Sequence, residues 1–332
     1  VAKAALILCA ALVCASPSAA PTPTEPDSKT TNAEILGGVV TIQVQVVNHA
    51  RSASTNGRER HGTGVVVDPG GLILTSALLV QEADSIVVTT FDARTVAAAV
   101  AALDPALGIA VLRPAAPLGV RPLAIGRSAG LDAGAAVSIA SAAPGRAVAV
   151  ARVLEKGDFA TEHEFLVEDA IFTGPLVAEC AGAALVDGTG KLIGVGVLTP
   201  KQIPGADAPA GAGNVFIPVE RFQPALAHLA RADGSRPPRR PWLGLVTHAS
   251  AGGLVVTHVP PASPADRAGL RVGDLIRAVG DTEVRTHAAL YRSVWRAGGP
   301  GTTVRLTIQR DGATRNIPVQ SIEAQDYLIH RA

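Results

Sequence analysis

From Ile35 to about residue 198 the chain breaks into short runs of alternating apolar and polar residues separated by turn residues, and this rhythm restricts its fold more than any other feature. "VVTIQVQVV" alternates over 39–47, "TGVVVD" and "GLILT" flank the turn Asp68-Pro69-Gly70-Gly71, and "DSIVVTTF" follows. Further strands are expected at 109–113, 136–141, 147–154, 164–168, 183–187 and 191–198. Each such run buries one face, so a series of them with Gly/Asp/Pro turns specifies a barrel or sandwich. Aromatic residues make up only 3% of the chain, so Val, Leu, Ile and Ala must fill the interior.

The flanking segments read differently. Lys3, an apolar run over 4–15 and the small residues Ala15 to Ala20 form a secretion signal over 1–20, with an uncleaved membrane anchor as the alternative. The expected location is the periplasm or the extracellular space. Loss of the signal removes Cys9 and Cys14, leaves Cys180 alone and allows no intramolecular disulfide. Residues 21–34 are a Pro/Thr-rich leader. "VERFQPALAHLARA" (219–232) is a helix that closes a domain over 35–230, itself split near 115–120, and 231–240 form a Pro/Arg linker. A formal charge of +1 provides no basic field, so nucleic acid is not an expected partner. The eight histidines form no HExxH and the three cysteines no CxxC, so neither metal nor cofactor is expected. His163-Glu164 reads as a solvated pair, and His248 and His258 as neighbours across a hairpin.

The last 90 or so residues carry the sharpest local signals. In "GGLVVTHVPPASPADRAGLRVGDLIRAVGD" (252–281), Ser263 is an N-cap, Pro264 fits the first helical position and Asp266 completes a capping box. Gly269 takes the left-handed conformation that stops the helix. "HAALYRSVWRA" (287–297) shows an apolar face through Leu290 and Val294, and "VRLTIQRDGATRNIPV" is a hairpin closed at Asp311-Gly312. This segment, 241–325, resembles a PDZ domain of the type attached to bacterial envelope proteases. PDZ domains add a peptide strand to a sheet edge and hold its terminal carboxylate in a nest of backbone N–H groups. The resemblance places that nest on "PWLGL", hence Trp242, Leu243, Gly244 and Leu245, with Leu245, Leu290 and Val294 lining a pocket for the last side chain and Arg239 or Arg240 adding charge. The implied partners are peptides or protein C-termini; the other reading is that the groove packs on its own chain.

The middle of the chain, with "HGTGVVVDPGGLILTSALLV", "DPALGIAVLRP", "ALVDGTGKLIGVGV" and "NVFIPVERF", resembles the HtrA/Deg family of trypsin-like serine proteases. The resemblance spans roughly 60–325 and implies a mainly β, chymotrypsin-like double barrel followed by one PDZ domain. It also implies a Ser-His-Asp triad in which serine attacks, histidine takes its proton and aspartate orients the histidine. In this sequence the histidine position holds Leu78, the aspartate position Gly108 and the serine position Ala181. An alternative register puts Phe172 at the serine position, and no serine lies between Ser141 and Ser235. Asp104 sits four residues before the aspartate position, over about ten ångströms away along a strand. The oxyanion glycine is replaced by Glu179, whose carboxylate opposes a developing negative charge. Cys180 reads as a buried, inert thiol, because Glu179 raises its pKa and no histidine stands at the base position.

The expectation is therefore an inactive HtrA-like pseudoprotease that regulates or scaffolds envelope partners, active relatives among them. The alternative is a divergent serine endopeptidase with a relocated nucleophile. Family members trimerise through aromatic residues near the start of the protease domain. Here no Phe, Tyr or Trp precedes Phe91, so that assembly is not expected.

Overall fold

The computed structural model describes residues 31–142, 145–197, 213–231 and 239–328. The signal, most of the leader and most of the linker lie outside these residues. Described residues contain no helix long and apolar enough to cross a membrane.

Six strands, β1 (Val39–Val46), β2 (Glu59–Val66), β3 (Ile73–Ser76), β4 (Ala83–Thr89), β5 (Thr95–Asp104) and β6 (Ile109–Pro114), close into a barrel of order β1-β2-β3-β6-β5-β4. Six more, β7 (Ala136–Ser141), β8 (Ala147–Ala160), β9 (Leu166–Gly174), β10 (Ala184–Val186), β11 (Leu192–Gly196) and β12 (Asn214–Pro218), close a second of order β10-β11-β12-β9-β8-β7. Alternation makes this possible: in β1, Ile42, Val44 and Val46 are buried while Gln43 and Gln45 face out. Aliphatic side chains fill the first barrel. The second adds an aromatic cluster, with Phe159 edge-on to Phe165 (5.9 Å between centroids) and to Phe172 (6.1 Å).

Short helices α1 (Asn32–Gly37), α2 (Ala53–Asn56) and α3 (Ala77–Val80) flank the strands of the first barrel, and helix α4 (Gln223–Arg231) follows the second. The C-terminal unit carries β13 (Pro241–Trp242), β14 (Val246–Ser250), β15 (Gly253–His258), β16 (Leu275–Val279), β17 (Thr282–Glu283), β18 (Thr303–Arg310), β19 (Ala313–Gln320) and β20 (Ile322–Glu323). Its main sheet runs β14-β15-β16-β18-β19, so β14 is an edge. Two helices, α5 (Pro264–Arg267) and α6 (His287–Arg296), pack on the sheet. Local rules set α5: the Ser263 side chain accepts the Asp266 N–H at 3.1 Å, and the Asp266 carboxylate accepts the Ala262 N–H at 2.7 Å. The fold is mainly β: a chymotrypsin-like pair of six-stranded barrels followed by a PDZ unit.

The second barrel and the PDZ unit share a buried interface. Ala160 and Leu166 of the barrel belong to the same apolar cluster as Leu243, Leu245, Leu290 and Val294. Arg292 of α6 pairs with Asp158 at 2.6 Å and Glu168 at 2.9 Å on the flanking strands. Five residues, 161–165, turn the chain from β8 into β9 and sit at the centre of this interface.

Candidate functional site

A cleft of about 1160 Å³ opens between the barrels and the PDZ unit, and Leu78, Glu179, Cys180 and Ala181 all reach its wall. Leu78 lies in the single helical turn α3 (Ala77–Val80), which follows β3 directly. A buried guanidinium fixes that turn: Arg60 donates to the Leu78 and Gln81 carbonyls, each at 2.9 Å, where the helix end leaves acceptors unpaired. The Leu78 side chain is half-buried against the aliphatic core between the barrels.

Gly108 stands at the start of β6 with φ +71°, and its carbonyl accepts the Ala77 N–H at 2.9 Å. A β-carbon there meets Phe165 Cζ at 2.7 Å and Ile217 Cδ1 at 3.4 Å. The space beside Gly108 is thus filled by a phenyl ring, 6% exposed, from the β8–β9 turn. Sequence reasoning missed Phe165. Its sole signal was an aromatic residue beside a turn, and nothing local tied it to Gly108. Asp104 is engaged elsewhere: its carboxylate accepts the Leu107 N–H at 3.1 Å and lies 3.8 Å from Arg240.

Ala181 is buried, and its carbonyl accepts the Thr63 N–H at 3.0 Å, tying its loop to the first barrel. Glu179 is exposed, yet keeps φ +49°, a left-handed backbone that glycine adopts at no cost and glutamate only with strain. Ser141 Oγ, donating to the Glu179 carbonyl at 3.1 Å, helps hold it there. Cys180 is 2% exposed, and burial pushes its thiol up to about 12. Phe172, the residue of the alternative register, is 1% exposed within the second barrel and packs edge-on against Phe159. The cleft wall carries His61, His163, His228 and His258 without a cluster of metal-binding side chains among the described residues.

The second candidate site lies in the loop between β13 and β14. The N–H groups of Leu243, Gly244 and Leu245 converge on one carboxylate, that of Glu164, at 3.0, 2.7 and 3.3 Å. Gly244 has φ +74°, and a β-carbon there approaches Ser263 Cβ to 2.5 Å and the Trp242 ring to 2.6 Å. Ser263 Oγ, donating to the Gly244 carbonyl at 3.0 Å, pins the curve from behind. Leu243, Leu245, Leu290 and Val294 are all buried in one cluster, and Trp242 stacks on Tyr327 at 4.8 Å.

Three sequence expectations are corrected here. His163-Glu164 is not a solvated pair: Glu164 is buried in the nest, where burial pushes its carboxyl up to about 7 against the pull of the three N–H groups. Arg239 and Arg240 do not serve the nest, because Arg239 pairs with Glu323 and Arg240 stacks over Trp295 at 4.1 Å. His248 and His258 are not opposite each other in the β14–β15 register; His248 faces Val255 and its ring pairs with Glu162 at 2.7 Å.

The comparisons with known proteins match this architecture. The family described as "Trypsin-like peptidase domain" matches residues 62–195, and the family "PDZ domain" matches 241–320. A relative named "Serine endoprotease DegS" from Haemophilus influenzae is 28% identical over 275 residues, covering 78% of this chain and 76% of its own length. A "Probable periplasmic serine endoprotease DegP-like" from Chlamydia trachomatis is 29% identical over 289 residues, and the chain spans 53% of that protein. Among solved structures, "HtrA-type protease AlgW with decapeptide" superposes with a TM-score of 0.55 at 21% identity, covering 89% of this chain and 99% of that one. With its two barrels and its PDZ unit, the chain is similar along most of its length to these HtrA-type serine endoproteases, its first part matching the trypsin-like peptidase family and its last the PDZ family.

Proposed function

We propose that this protein is a catalytically silent HtrA/Deg relative that recognises peptides or protein C-termini through its PDZ domain and acts as a regulator or scaffold in the cell envelope. The observation that carries the reading is the backbone nest at 243–245, three N–H groups aimed at a single carboxylate. A nest of this kind selects a chain terminus by charge, since ionised acceptors make roughly twice the bond of neutral ones. The AlgW protease, whose structure is described as one with a decapeptide, supports the same use of the fold.

Silence at the barrels rests on residue chemistry. Leu78, Gly108 and Ala181 have no group to take a proton, orient a base or attack a carbonyl. The thiol beside them, raised to about 12, holds almost no thiolate at neutral pH. The names of the relatives favour the competing reading of a working endoprotease, and the periplasmic one among them supports an envelope location.

One experiment separates the two readings. The full chain and a Cys180→Ala variant are incubated with casein while the same preparations are screened against a library of peptide C-termini. Recognition predicts no cleavage by either protein and enrichment that Gly244→Trp abolishes. Cleavage by the full chain that disappears in Cys180→Ala establishes an enzyme and ends the proposal.

A further inference from the structure

The PDZ groove is already full. Its floor is the edge strand β14, whose one sheet neighbour is β15, and on the open side Thr247 donates its N–H to the Glu162 carbonyl at 3.2 Å. Its far wall is α6, from which the Tyr291 hydroxyl donates to the Thr161 carbonyl and accepts the Glu164 N–H at 3.0 Å. Its end is the nest, which holds the Glu164 carboxylate. Residues 161–164 thus run between strand and helix as an added peptide does, with an acidic group where a chain terminus belongs. At the rim Glu162 pairs with His248 at 2.7 Å.

We infer that the β8–β9 turn is an internal ligand of the PDZ domain, its Glu164 side chain standing in for a C-terminal carboxylate, so that outside C-termini bind only by displacing it. The inference rests on the recognition reading above and adds its regulation. Two features mark the turn as a replaceable occupant as well as packing. Glu164 sits at φ +56°, a left-handed conformation that strains a non-glycine residue and persists only while its surroundings enforce it. The nest bonds are also the kind an outside α-carboxylate reproduces in full, so exchange loses no hydrogen bond at 243–245. Partners are thereby limited to chains that present a free carboxylate and can also replace the contacts of Thr161 and Glu162 along β14 and α6.

The test uses the full chain. Glu164→Gly removes the carboxylate and suits the left-handed backbone, so folding is favoured; Tyr291→Phe loosens the same turn from the opposite wall. Hydrogen exchange at the amides of 243–245 is followed beside the binding of two random peptide pools, one with free α-carboxylates and one with α-amides. Displacing an occupant that fills the groove ten times out of eleven or more improves apparent affinity at least tenfold. The expected result is faster exchange at 243–245 in Glu164→Gly, at least tenfold tighter retention of the free-carboxylate pool, no gain for the amidated pool, and a smaller shift of the same sign in Tyr291→Phe. Unchanged exchange in both variants overturns the inference. So does equal retention by wild type and Glu164→Gly, which leaves C-terminal recognition standing without a competitor. Faster exchange with no retention by any protein overturns it from the other side: the turn is then docked, but the groove is no receptor and the recognition reading falls as well.

Discussion

Placing a carboxylate at Gly108, between the barrels, is expected to damage the fold. In Gly108→Asp the new β-carbon lies 2.7 Å from Phe165 Cζ and 3.4 Å from Ile217 Cδ1, on a backbone with φ +71°. Overpacking of this kind costs about 1–3 kcal/mol, and a side chain in the left-handed region adds about 1–2. Together that removes roughly 2–5 kcal/mol from a fold of ordinary marginal stability. For a domain of this size it lowers the melting temperature by about 4–20 °C. The assay is thermal unfolding followed by near-UV circular dichroism on four proteins: wild type, Gly108→Asp, Phe165→Ala and the double variant. Phe165→Ala alone costs about 3–5 kcal/mol through its cavity. If the ring is what excludes the carboxylate, the double variant loses less than the two single losses combined, by about 0.5–3 kcal/mol of coupling. Gly108→Asp melting with the wild type, or two losses that simply add, refutes the argument.

Further outcomes follow from the same geometry. Glu164 titrates near 7 when docked and near 4.5 when free, so the docked turn binds the proton better and alkaline solution releases it. Peptide affinity therefore rises between about pH 4.5 and 7 and levels off above that. Glu162 and His163 in the turn, His248 on β14, His258 on β15, and His287 and Tyr291 on α6 surround the same groove, so a slope that persists unchanged in Glu164→Gln assigns the effect to them instead. Gly244→Ala forces a β-carbon to 2.5 Å from Ser263 Cβ and should lower stability by about 1–3 kcal/mol in urea unfolding; a neutral result means the nest is not rigid. In a Cys9→Ser/Cys14→Ser background, Cys180 should resist Ellman's reagent at pH 8 until the protein is denatured, and rapid labelling of the native protein contradicts its burial.

Much of the barrel architecture was readable because one-sided strands write themselves as alternation. β1 is an example, with its Gln43 and Gln45 facing out between buried neighbours. β5 was not read: "TVAAAVAALD" is alanine-rich, its exposed and half-buried positions carry similar side chains, and alanine has little strand preference. The expected strand at 147–154 runs on to Ala160 through Glu155, Lys156 and Asp158, polar residues that pairing with β9 and the contacts of α6 accommodate. The nest was readable in outline through the PDZ resemblance, which placed it on "PWLGL". Its occupant was not. Glu164 and Phe165 act on partners 79 to 81 and 57 residues away in sequence, and no local period records such pairings.

Glu164 and Phe165 are neighbours in the chain, and they block different places: one the PDZ nest, the other the space beside Gly108. The Thr161 N–H donates to the Phe165 carbonyl at 3.0 Å across this turn, so a backbone shift at Glu164 is carried to its neighbour. A partner that pries the first out must therefore tug the second, and a fluorine label on that ring should change its resonance when the groove is taken from outside. The two halves of the molecule would share one hinge pin, so drift at either pocket is answerable to the fit of the other.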